Sequence, residues 1–162
     1  LSTLAAGLLC LGCSRGPDPV PEEAHGGIFD VPVCGYRVTT RDGATAPRPG
    51  RPMLGPDPTP FAVHLGIAGD PARTMSVVWR TRDETTLATE VQFGVGDALD
   101  QGTPGLTFSY EDEQRGTVRI HEAHLCGLRP GTRYSYRVGG RDGMGRAVWS
   151  PVYQFQTAPD PR

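Results

Sequence analysis

At 162 residues and 17.4 kDa, the chain has room for one domain with tails. A hydrophobic content of 37% supports one modest core and falls short of a large enzyme. A net charge of −2 gives no basic footprint for nucleic acid, and 22 glycines with 16 prolines exclude long helices in favour of strands and turns.

All 16 basic residues are arginine, and both lysine and asparagine are absent. Both missing types use AT-rich codons, so a GC-rich genome accounts for the arginine. Without asparagine there is no N-glycosylation acceptor.

Leu4 to Leu11 (LAAGLLCL), followed by Gly12 and Cys13, is a short apolar run ending at small residues. It has the form of an export signal and is too short to span a bilayer. Its Leu-Gly-Cys ending resembles a bacterial lipoprotein cleavage site, although Cys10 stands where such sites usually carry leucine. Residues 1–13 are therefore read as an export leader with Cys13 as the lipidated residue, and a membrane anchor through that lipid follows. An ordinary export signal with two incidental cysteines is the alternative. The product is expected in the cell envelope or secreted, with a start upstream of Leu1.

Export leaves Cys34 and Cys126 in an oxidising compartment. A disulfide between them is the natural expectation, with two free thiols as the alternative. Metal ligation is disfavoured, because neither lies in a C-x-x-C and only His124 is near Cys126.

Residues 14–57 read as a tether. Ser14–Gly27 is polar, with Pro17, Pro19 and Pro21. Ile28–Val38 (IFDVPVCGYRV) is apolar and β-prone, one strand or a docked extended segment. Thr39–Pro60 carries six prolines and no aromatic residue, the composition of an extended linker.

Period-2 runs follow, separated by Gly, Pro and Asp clusters: Val63/Leu65/Ile67, Met75/Val77/Trp79, Val91/Phe93/Val95, Thr117–Leu125, Tyr134/Tyr136/Val138 and Tyr153/Phe155/Thr157. Six or seven strands in about a hundred residues point to a β-sandwich. The fourth run has a phase conflict, since Val118 and Ile120 share one parity and Ala123 and Leu125 the other. Either a bulge intervenes near His121–Glu122 or both faces of the strand are covered. Cys126 shares the parity of Ile120, so a bond to Cys34 would lay Ile28–Val38 over that outer face.

Leu128-Arg-Pro130-Gly131-Thr132-Arg-Tyr134-Ser-Tyr136-Arg-Val138 resembles the E–F corner of a fibronectin type III-like sandwich. There a tyrosine hydroxyl bonds back to the backbone just upstream, which assigns Tyr134 and Leu128 to a tyrosine corner. The fold class is all-β: a fibronectin type III-like, immunoglobulin-like antiparallel sandwich behind an extended leader and linker.

Further motifs narrow the resemblance. Pro60-Phe-Ala-Val63-His64-Leu65 through Asp70, then Met75-Ser-Val77-Val78-Trp79, is similar to the first strands of the purple acid phosphatase N-terminal domain. Ile120-His121-Glu-Ala123-His-Leu125-Cys-Gly-Leu128 is similar to the family's I-H-H run, although His124 departs from the second histidine by position. Trp149 through Pro159 is similar to its closing strand. The resemblance covers Pro58 to Pro159, giving a domain at 58–158 and a linker start at 159–162.

The resemblance implies a following metallophosphoesterase domain with two metal ions, iron with a divalent metal, hydrolysing phosphate monoesters. That family's ligands sit in D-x-G, G-D-x-x-Y, G-N-H-[DE] and G-H-x-H blocks. Here Asp100-Gln-Gly102 spells D-x-G by chance, Gly69-Asp70 is followed by Arg73 where tyrosine is required, and the other two blocks are missing. No catalytic and no metal-ligating residue is assigned in these 162 residues. His64 and His121 read as packed or hydrogen-bonded histidines, Tyr110-Glu-Asp-Glu-Gln as a solvated acidic turn, and Gly139–Gly143 as a hairpin turn. Trp79 and the outer loops Asp83–Thr86 and Asp97–Gly105 are expected to change without affecting chemistry. The expected function is the non-catalytic N-terminal domain of an exported phosphatase-like enzyme. The alternative is a stand-alone, lipid-anchored fibronectin-like binding or adhesion module, separated from the first by whatever follows Arg162.

Overall fold

The computed structural model describes residues 28–31, 33–39, 57–83, 88–112, 116–142 and 144–160. Eleven strands occur among them and no helix: β1 (Ile28–Val31), β2 (Tyr36–Thr39), β3 (Asp57–Gly66), β4 (Met75–Arg82), β5 (Ala88–Val95), β6 (Gln101–Pro104), β7 (Leu106–Asp112), β8 (Gly116–Leu125), β9 (Arg133–Arg141), β10 (Ala147–Trp149) and β11 (Tyr153–Gln156). β3-β4-β8-β7 form one antiparallel sheet. β10-β9-β5-β6 form the other, with β11 following β10 along the same edge of β9. β1 and β2 make a separate hairpin.

Alternation along β4, β5 and β9 turns Met75, Val77, Trp79, Val91, Phe93, Tyr134, Tyr136 and Val138 into the space between the sheets. Ala123 and Leu125 from β8, Leu128 and Phe155 complete that core, and Val63 and Leu65 pack against its edge.

Several details depart from the sequence expectations. Ile28–Val38 is neither one strand nor a docked extended segment but a hairpin, because Cys34 and Gly35 N–H both donate to the Val31 carbonyl at 3.0 Å and reverse the chain. Asp57–Pro60, assigned to the linker, already belongs to β3. Ile67 lies past the end of β3 and is 69% exposed.

No bulge breaks β8: its register runs unbroken from Met75↔Leu125 to Thr81↔Arg119 on one side and from Leu106↔Glu122 to Asp112↔Gly116 on the other. Its inward face simply carries polar residues, Arg119 and His121, before Ala123 and Leu125. The bulges are in β3, where Ala62 adopts φ 49°, unusual for a residue with a Cβ.

Gln101–Pro104, expected in a loop, pairs with β5. Gly139 and Gly140 are strand residues, and the turn starts beyond Arg141. Tyr110–Asp112 continue β7. The split between β10 and β11 has a local cause at Trp149-Ser150-Pro151. Proline removes a donor, and Ser150 Oγ replaces a ladder partner by accepting from Val138 N–H at 3.0 Å.

Candidate functional site

Three groups of side chains hold the chemistry-bearing residues. The first surrounds His121, which is fully buried between the sheets. Its Nε2 lies 2.9 Å from Thr81 Oγ1, and its Nδ1 lies 2.9 Å from Thr107 Oγ1 and 3.0 Å from Thr89 Oγ1. The last two hydroxyls are 2.6 Å apart. Trp79 stacks on the imidazole at 5.4 Å and 18°. Burial, with the positive field of Arg119 as a lesser cause, pushes the imidazole pKa from 6.5 down to about 3, so the ring is neutral. Beside it, buried Arg119 donates from Nη1 to the carbonyl of buried Asp83 at 3.0 Å and lies 4.0 Å from its carboxylate.

The second group is the corner between β8 and β9. Tyr134, 2% exposed, accepts a hydrogen bond at its hydroxyl from Arg129 N–H at 2.9 Å. Leu128 is buried beneath it, and Phe155 stacks on the Tyr134 ring at 5.5 Å. The Leu-Arg-Pro-Gly-Thr segment can turn here because Gly131 accepts φ 59°. Thr157 fastens the same corner from the closing strand: its hydroxyl donates to Arg129 O at 2.6 Å and accepts from Thr132 N–H at 2.9 Å.

The third group ties the hairpin to the sandwich. Cys34 and Cys126 form a disulfide with Cα atoms 5.0 Å apart and 92 positions apart in sequence. Tyr36 Oη lies 2.8 Å from His124 Nδ1, with the rings edge-on at 5.5 Å. His124 Nε2 is 3.0 Å from Glu122 Oε1. The hairpin therefore covers the outer face of β8 at the His124 end. Burial, and then the nearby Glu122 carboxylate, push the Tyr36 phenol pKa up, so it is a poor nucleophile at neutral pH.

These residues do not fit a metal pair. His121 is closed in by three hydroxyls, His124 lies against Tyr36 and Glu122, and His64 Nδ1 donates to Ala62 O at 3.0 Å. No group of three or more His, Cys, Asp or Glu side chains able to hold a metal occurs among the described residues. Cys13 and the rest of the leader, the tether to Gly27, Glu84–Thr86, Glu113, Gln114 and Gly143 lie outside the described residues.

Sequence reasoning overlooked Thr81, Thr89, Thr107, the Arg119–Asp83 pair and Tyr36. Parity held the signal for most: Thr81 and Asp83 continue the inward series of Trp79, Thr89 that of Val91, and Arg119 that of Leu125. Trp79, grouped with freely changeable positions, is fully buried.

Comparison with known proteins bears on this arrangement. The family described as purple acid phosphatase, N-terminal domain, matches residues 60–157. A probable inactive purple acid phosphatase 1 of Arabidopsis thaliana is 40% identical over 60 residues, 37% of this chain and 9% of that protein. Acid phosphatase type 7 of Mus musculus is 35% identical over 104 residues, 62% of this chain and 22% of that protein. A purple acid phosphatase from yellow lupin (Lupinus luteus) seeds superposes with a TM-score of 0.56 at 25% identity, over 64% of this chain and 20% of that one. The chain thus spans less than a quarter of the length of each of these proteins.

Proposed function

The chain belongs to the purple acid phosphatase N-terminal domain family, and from that premise we propose that it is the non-catalytic N-terminal part of an exported metallophosphoesterase hydrolysing phosphate monoesters. One observation carries this reading: the family match ends at residue 157, where the closing strand has just left a sandwich whose described histidines are all engaged in structural contacts. In this proposal iron with a divalent metal belongs to a domain following in the same chain, where the ions would supply Lewis acidity and an activated water. The residues described here frame and support that domain. The Cys34–Cys126 bond, which persists in oxidising compartments, supports export, as does the Leu4–Leu11 run; lipidation at Cys13 would hold the product at the envelope.

Sequencing the gene beyond Arg162 tests the proposal. The expected outcome is D-x-G, G-D-x-x-Y, G-N-H-[DE] and G-H-x-H blocks in order; their absence would favour the stand-alone anchored module. Residues 14–162 expressed alone are expected to fold, to bind no metal stoichiometrically and to hydrolyse no chromogenic phosphate ester from acid to neutral pH. Two tightly held ions per chain, or turnover above a heat-killed control, would overturn it.

A further inference from the structure

We infer that β7 is a pairing edge: a second copy of this chain lays its own β7 antiparallel against it, so that the β3-β4-β8-β7 sheet continues across a twofold axis into the partner. The inference stands apart from the reading of the chain as an N-terminal part.

A strand at a sheet edge keeps one row of N–H and C=O groups unpaired, and edges that stay single are marked by proline, bulges or shortness. Among the described residues the sandwich has four edges, and three of them are marked in this way. β3 carries Pro58 and Pro60 and two register shifts against β4. β6 is four residues long and contains Gly102 and Pro104. β10 and β11 are separated by a break that includes Pro151. β7 has none of these devices. It runs for seven residues, holds neither proline nor glycine, and pairs with β8 without a shift from Leu106↔Glu122 to Asp112↔Gly116. Its other side pairs with no described strand.

The start of this edge is held rigidly. Gly105 carries the chain from one sheet to the other, donating its N–H to Thr89 O at 2.8 Å where a Cβ would lie 2.7 Å from Glu122 O. Two residues on, Thr107 Oγ1 is fixed 2.6 Å from Thr89 Oγ1 and 2.9 Å from His121 Nδ1. That contact turns Thr107 inward, so alternation turns Leu106 and Phe108 to the outer face. Phe108 stands across from Ile120 of β8, and all three apolar residues are half-buried there. A partner strand beside β7 extends this apolar row.

The sequence of β7 selects both occupant and direction. Ser14–Gly27 and Thr39–Pro60 carry three and six prolines and no aromatic residue, a poor match to an apolar ladder. β7 matches itself. A twofold axis at Ser109 pairs all seven residues: Leu106 with Asp112, Thr107 with Glu111, Phe108 with Tyr110, and Ser109 with its own copy. Glu111 and Asp112 then fall opposite Thr107 and Leu106 of the other copy. A parallel pair would instead set each carboxylate against its own copy, which is unfavourable. Seven residues at about 3.3 Å each make an edge about 23 Å long. Pairing an edge of that length buries on the order of 1,000 Å² in total, the size of a transient, concentration-dependent pair.

The test is sedimentation equilibrium of the full-length gene product across the micromolar range. A reversible dimer is expected. Phe108→Lys places a charge on the edge and should raise the dissociation constant about tenfold or more. Phe108→Thr repeats the measurement should Phe108→Lys fail to fold. The axis is read by oxidative cross-linking, with the new bond located by peptide mass spectrometry. A mixture of Phe108→Cys and Tyr110→Cys chains should join between copies, because opposed Cα atoms lie about 4.5–5.5 Å apart. Either variant alone sets its cysteines on a diagonal of about 7–8 Å and should not join. A monomer at every concentration, a dimer indifferent to both Phe108 variants, or either cysteine variant joining alone as readily as the mixture would overturn the pairing.

Discussion

The space between the two sheets holds two chemically different halves, and the same two strands supply both. Toward the end at which the chain leaves β11, Met75 and Val77 of β4 lie beside their cross-strand partners Leu125 and Ala123 of β8, closed by Leu128, Tyr134, Tyr136 and Phe155. Toward the other end, Thr81 and Asp83 lie beside Arg119 and His121, with Thr107 from the neighbouring β7 and Thr89 from β5 of the facing sheet. The change occurs at Trp79, which stacks on His121. The apolar half is held by the area it removes from water, so its cost of injury scales with the volume removed. The polar half is held by matched partners, so it depends on every member and on protonation.

Trp79→Ala strikes the boundary and should have the largest effect, a loss of about 4 kcal/mol. The midpoint of chemical denaturation reads it, and a loss below about 1 kcal/mol would mean that the halves do not meet there.

Arg119→Met takes the guanidinium from Asp83 within the polar half while keeping apolar bulk. About 3 kcal/mol should be lost, and most of it recovered in the double variant Arg119→Met/Asp83→Leu. A single variant as stable as the parent would show that the polar half is held by packing alone.

Acid separates the halves without substitution. The His121 pKa is 6.5 ordinarily and about 3 in the fold, so only the unfolded chain takes up its proton between those values. The stability this neutral ring supports is complete above 6.5 and falls as pH drops toward 3, at about 1.4 kcal/mol per unit. From about pH 7.5 to about pH 5, roughly 2 kcal/mol should disappear. The carboxyls of Asp70 and Asp142, held below 3.8 chiefly by backbone N–H groups, lose their contribution only at lower pH. His121→Gln should flatten the profile between neutrality and pH 5; an unchanged slope would assign the acid sensitivity elsewhere.

Tyr134→Phe is the mildest injury, confined to the apolar half. It removes the acceptor from Arg129 N–H and should cost about 1.5 kcal/mol with no change in the pH profile.

The legible parts of this molecule are those in which one residue type has one reason to be present. Alternating aliphatics gave the main strands, and Leu-x-Pro-Gly-x-x-Tyr gave the corner, because a buried tyrosine followed by strand residues has few other uses. The polar half was illegible for the opposite reason. A threonine in a strand is as common outside as inside, and only its partner across the sheet decides, which no single run of sequence displays. β6, β7 and β10 were overlooked because Gln101–Pro104, Leu106–Asp112 and Ala147–Trp149 are short or polar and owe their conformation to the neighbours they pair with. Of the two remedies for the phase conflict in β8, the bulge is absent and the covered outer face is present. Its outer residue His124 is buried because the hairpin lies over it, and its inner residues near Arg119 are polar because they have partners.

The bond between Cys34 and Cys126 also changes what a broken backbone means. Every peptide bond from Cys34 to Cys126 lies inside a covalent ring, so one protease cut in that span opens the ring without dividing the molecule. The hairpin, the earliest described element, is sewn to the end of β8, and it stays attached after such a nick until a reductant arrives. Wherever that bond stays oxidised, wear on the backbone is thereby separated from loss of parts.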